Sequence, residues 1–244
     1  PNFYFKRYYC NNYTASIITV KYTKYISERI LYMKYLIFSS IVGLCIAYYL
    51  KLSHIRAIEA KADDAYWERE RKASFTRKKP LDDLDYITIP PEILQMHPKS
   101  ITSELQSILN NLNDLSSYKI VNLTGYSNTD LKLKYGTANI TILSDYDFHY
   151  TNLVTLLQKL AEKLHENGED ALAAQTLEFA ISTGTDVSKS YYLLADLYCD
   201  AGTAWKIQSL IESAQNIHTI QKDTIIETLQ TQQQNATLSQ SEGF

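Results

Sequence analysis

The chain has 244 residues, 45% of them apolar, and a net charge of −3. That is length enough for one or two domains, and too little net charge to imply a nucleic acid or another strongly charged partner. The charge is unevenly spread: six Lys/Arg against one acid from Pro1 to Lys34, nine against five from Lys51 to Pro80, then four against nine both from Leu81 to His149 and from Tyr150 to Ile220. An acidic body argues against phosphate-backbone binding. Three scattered cysteines, Cys10, Cys45 and Cys199, offer no Cys-x-x-Cys spacing for zinc and no disulfide framework.

In chain order, the first stretch, residues 1–32, is rich in Tyr, Asn, Lys and Ile, with no apolar period and no signal-peptide order. It reads as a non-native or disordered leader. Met33-Lys34, directly before an apolar run, resembles a bacterial start. Residues 33–52 then predict a transmembrane helix. Tyr35 to Leu50 carries no charge, slightly short of the roughly 20 residues a ~30 Å hydrocarbon core needs. Lys34 and Lys51 can snorkel, and Tyr35, Tyr48 and Tyr49 suit the interfacial belts. No small-x-small cleavage site follows, and Leu44 before Cys45 is a poor lipoprotein signal, so an uncleaved single-pass anchor at the cell membrane is expected. Six cations within about twenty residues after the span, Lys51 to Lys72, place the C-terminal part in the cytoplasm by the positive-inside rule.

Residues 53–99 read as a juxtamembrane helix, with Ile55, Ile58, Ala62, Ala65 and Tyr66 at steps of three and four, followed by a linker broken by Pro80, Pro90, Pro91 and Pro98. Arg77-Lys78-Lys79 is read as solvated, with anionic headgroups as the alternative contact. Tyr86 to Ile89 is a short extended run at best. Ser100 opens an amphipathic helix on Ile101, Leu105, Ile108, Leu109, Leu112 and Leu115. Tyr118 to Thr124 stays irregular. From 129 to 146 strand-like alternation competes with helical steps on Leu131, Tyr135, Ala138, Ile142 and Tyr146, and a helix capped by Asn128 or Thr129 is chosen.

Residues 100–230 are expected to form one helical domain, clearest over 154–187 and 188–221, where the chain repeats at a spacing of 34. Leu157 matches Tyr191, Leu160 Leu194, Ala161 Ala195 and Leu164 Tyr198. Gly168 matches Gly202, Ala173 Ile207, Leu177 Ile211 and Ala180 Ala214. A third helix is expected from Asp223 to about Gln232, and 231–244 reads as a disordered tail.

This pattern of large, Leu, small and aromatic residues, a turn glycine, then small, large and small residues resembles the tetratricopeptide repeat. The resemblance covers about 70 residues. No Trp fills the first position, Ile207 replaces a small residue, and Thr185 and Thr219 stand where Pro is usual. With the transmembrane helix read above, it implies an all-α fold class: that helix followed by a TPR-like antiparallel helical repeat, an α-solenoid. It implies further that the first helices of the repeats line a groove for a protein or peptide partner. The groove positions carried over are Gln158, Glu162, His165, Lys189, Tyr192 and Asp196, flanked by Thr155 and Cys199. The Lys/Asn clamp some members use on a terminal carboxylate is absent.

No phosphate loop, nucleophile elbow or paired metal histidines occur, so no cofactor and no enzyme activity are expected. The Asn-x-Thr triplets at Asn122, Asn139 and Asn235 matter only in a eukaryotic secretory setting. The competing class is a metal-dependent enzyme: on a strand, Asp145, Asp147 and His149 would share one face and could hold a divalent ion. At a helix junction they would simply be caps and solvated turn residues. The preferred reading is a membrane-anchored, non-catalytic adaptor.

Overall fold

A computed structural model describes the backbone from residue 2 to 242 and the side chains from 21 to 236. Nine α-helices lie among the described residues: α1 (Asn2–Ser74), α2 (Pro91–Leu94), α3 (Ser103–Leu115), α4 (Asn128–Tyr135), α5 (Ile140–Glu166), α6 (Asp170–Ser182), α7 (Ser188–Asp200), α8 (Ile207–Gln215) and α9 (Lys222–Glu242). The protein is all-helical there. Its one β-type pairing is an isolated antiparallel bridge between Tyr86 and Val121. The chain forms two units, Pro1–Glu68 and Arg69–Phe244.

The first unit is helix. Every residue from 21 to 68 is exposed except half-buried Leu52. It holds one stretch long and apolar enough to cross a membrane by length and composition. The juxtamembrane helix read from the sequence is continuous with it, as the absence of Gly and Pro between Leu44 and Arg77 requires. The side chains of the first twenty residues, which the sequence reading assigned to the leader, lie outside the described ones.

In the second unit α5 and α6 form an antiparallel hairpin, α7 packs against α6, and α9 packs against both α7 and α8. Leu153, Leu157, Leu160, Leu164, Leu177 and Leu194 are completely buried at their centre. The turns that reverse the chain repeat as the sequence does. Glu169 N–H donates to Leu164 O at 2.8 Å and, 34 residues on, Thr203 N–H donates to Tyr198 O at 2.8 Å. Both are six-residue loops closed around a positive-φ glycine, Gly168 or Gly202, which satisfies a helix-terminal carbonyl.

Upstream of residue 100 the structure corrects the linker. Ile89, Ile93 and Met96 are buried in the main core, on which α3 and α5 also pack. Leu84 joins a smaller cluster with Val121, Leu123, Leu131, Tyr135 and Leu143. The prolines break regular structure there without freeing the chain, because their apolar neighbours still have surface to bury. The helix expected from Ser100 begins instead after Thr102, whose hydroxyl accepts from Leu105 N–H, and Ile101 lies outside it, 54% exposed.

The single helix expected over 129–146 is two. Ser127, not Asn128 or Thr129, caps α4 in a capping box with Asp130. The chain then breaks at Gly136, with φ 90° and ψ 148°, a conformation open essentially to glycine alone. The break admits the strap that follows α1. Lys79 N–H donates to Tyr135 O at 3.0 Å, Thr137 Oγ1 donates to Ala73 O at 3.0 Å, and Asn139 Nδ2 donates to Lys79 O at 2.7 Å. The last turn of α1 is held as well: Arg69 pairs with Asp130, and Glu70 accepts from the Thr129 hydroxyl and pairs with Lys132. The side chains of Arg77, Lys78 and Lys79 are exposed, as expected of solvated residues, but their backbone is held. At the other end α9 runs to Glu242, through most of the stretch read as a tail; Gly243 and Phe244 lie outside the described residues.

Candidate functional site

The candidate site is the face shared by α5 and α7. Gln158 and Ser190 meet there: Ser190 Oγ donates to Gln158 Oε1 at 2.6 Å, while Gln158 Nε2 donates to Glu162 Oε1 at 2.9 Å. Gln158 and Ser190 are 8% and 1% exposed, so their polar atoms are satisfied by one another and by Glu162, as burial demands. Gln158 is therefore a cross-helix tie rather than an open contact. Ser190 escapes a sequence reading because a buried serine breaks no apolar pattern and makes no motif.

The other carried-over positions divide. His165 turns to the start of α6, with Nδ1 2.6 Å from Asp170 Oδ1. Asp196 is exposed and accepts from Gln232 Nε2 of α9 at 2.7 Å, so α9 reaches that end of the face. Tyr192 is half-buried and packs on the main core. Lys189 is exposed, and Glu162 is half-buried. Cys199 is half-buried, and its burial, with Asp196 and Asp200 adding to it, pushes the thiol up, away from the reactive thiolate. Thr155 belongs elsewhere. With Asn111, Tyr118, Phe148, His149 and Lys159 it lines a cleft of about 480 Å³ where α5 passes the end of α3.

Below the face, three tyrosines fix the helices. Tyr191 is fully buried and donates to Thr185 O at 2.9 Å. Tyr150 donates to Thr183 O at 3.2 Å and accepts from Asn122 Nδ2 at 3.0 Å. Burial pushes both phenols from 10.0 to about 12. Tyr198 donates to Glu178 Oε1 at 2.7 Å, and burial again raises its phenol. Thr185, where the repeat pattern usually has proline, is itself buried, and its carbonyl is the acceptor for Tyr191.

The strand geometry required for a metal site at Asp145, Asp147 and His149 is not present. All three lie on α5, where a two-residue step turns about 200°, so Asp147 lies on the side opposite Asp145 and His149 and the three share no face. Asp147 Oδ1 accepts from Leu123 N–H at 3.3 Å, and His149 Nδ1 lies 3.0 Å from Lys119 O. They tie the 116–127 loop to the middle of a helix, not to a helix junction. Among the described residues no group of three or more His, Cys, Asp or Glu is placed to hold a metal ion.

The structure thus defines a protein that is all-helical among the described residues, with one candidate membrane-spanning helix. No family model, curated protein or solved structure matches the chain.

Proposed function

We propose that this is a single-pass membrane protein whose TPR-like helical unit, facing the bacterial cytoplasm, holds a protein or peptide partner at the envelope on the α5/α7 face. It works as a scaffold without catalysis. One observation carries the reading: pairs 34 residues apart occupy equivalent buried places, with Leu157 and Tyr191, Leu160 and Leu194, and Ala161 and Ala195 all fully buried. Small residues at the third pair let the helices approach closely, and repeats of this kind present one row of helices to a partner. Lys189, Glu162 and Asp196 offer charge of both signs around Tyr192, the kind of half-buried aromatic that anchors interfaces.

The test is photo-crosslinking from Lys189 in the full-length protein in its own cells, with and without Tyr192→Ala. The expected result is a discrete adduct whose yield falls about tenfold in the variant, the loss of a single anchor of about 1.4 kcal/mol. Adducts unchanged by Tyr192→Ala would make the repeats a spacer only. Proteolysis of inverted and right-side-out membrane vesicles tests the side: the 69–244 unit should be cut only when the cytoplasmic face is outside.

A further inference from the structure

The α1 segment that follows the apolar span contributes none of its described residues from 53 to 67 to the buried clusters. From 53 to 68 every residue is exposed, Ile55 by 40% and Ile58 by 55%. A lone helix of this length is marginal in water, and its composition is not that of a solvated helix on every side. Ile55, Ile58, Ala62 and Ala65 fall at alternating steps of three and four, the a and d positions of two heptads. The next two such positions are Arg69 and Lys72, which cannot form an apolar layer, and Arg69 is already committed to Asp130. The stripe has a defined end.

We propose that this stripe pairs with its own counterpart in a second copy of the chain, as a short parallel two-helix stalk above the membrane. The proposal rests on the reading of the preceding stretch as a membrane span. Copies anchored in one bilayer lie parallel and at equal height, so Ile55 meets Ile55 of the other copy without a search, and the tether supplies the effective concentration that two heptads need. The flanking positions are self-complementary in that register. His54 of one copy faces Glu59 of the other, and Lys61 faces the ring of Tyr66, a cation–π arrangement; no like charges meet beside the stripe. The antiparallel alternative is closed to copies anchored on one side. Ala62 and Ala65 let the two helices approach closely at the upper end of the stalk.

The test uses the full-length protein in membranes, with Cys10, Cys45 and Cys199 replaced by serine and one cysteine returned at position 55, 58, 62 or 65, or at 57, 60 or 64 on the opposite face. After mild oxidation the four stripe positions should give about tenfold more disulfide-linked dimer than the three others, since only a and d side chains face across a two-stranded coil. Equal yields at all seven positions, or no dimer at any, overturn the pairing. Each sample is also washed in alkaline carbonate. Protein retained in the membrane but giving no stripe pattern refutes the stalk alone, whereas protein released by the wash refutes the anchor and the pairing with it.

Discussion

Tyr191 shows how one side chain can serve packing and polarity at once. Its ring fills the first-helix position that Leu157 fills one repeat earlier, and its hydroxyl reaches back to Thr185 O at the loop where α7 begins. Replacing it by Phe keeps the ring and strands a carbonyl, a loss of about 1 kcal/mol. The pH dependence has a definite sign. A phenol held at about 12 in the folded protein against 10.0 in the open chain binds its proton more tightly when folded. Its contribution is complete below pH 10 and disappears as pH rises towards 12. Thermal unfolding followed by circular dichroism should show melting temperature falling across that window, less steeply in Tyr191→Phe. An identical slope in the variant would mean Tyr191 carries none of it.

At the scale of elements, the chain turns on glycines that look alike in sequence and differ in surroundings. Gly136 has φ 90°, and a Cβ there would lie 2.2 Å from Arg77 O in the strap. Gly168 has φ 75° with nothing within 4 Å. Gly136→Ala must therefore push the strap from α4, at a cost above about 3 kcal/mol, while Gly168→Ala meets only the left-handed backbone penalty of about 1 kcal/mol. Urea titration of both variants checks the difference, and equal midpoints would show that the strap yields freely. Asn139 makes the same point. It is completely buried and spends its amide on Lys79 O and Tyr135 O, so the Asn-x-Thr triplet that begins with it has a structural use.

At the scale of the molecule, the folded unit begins at Arg69 and not near residue 100. A fragment spanning 69–244 should unfold in one cooperative transition. A fragment spanning 100–244 loses Ile89, Ile93 and Met96 from the main core. Each contributes on the order of 1.5–3 kcal/mol when buried, so its melting temperature should fall by on the order of 10 °C, or the fragment should fail to fold. Scanning calorimetry of the two decides it, and matching transitions would return 69–99 to the status of a linker.

What the sequence determined by itself is what depends on local order. Periods of three and four marked the helices, Gly168 and Gly202 marked their turns, and the uncharged run from Tyr35 marked the candidate span, because these signals arise within one turn or one helix of the residue that carries them. Tertiary structure alone decided where the folded unit starts, why α4 and α5 separate, and which face residues stay open. Those outcomes depend on partners about 30 to 70 positions away: Arg77 against Gly136, Ser190 against Gln158, Gln232 against Asp196, Glu70 against Lys132. A proline-rich stretch reads as a linker until the surface that buries Ile93 is known, and a glutamine at a groove position reads as a contact until a serine across the helix pair claims it.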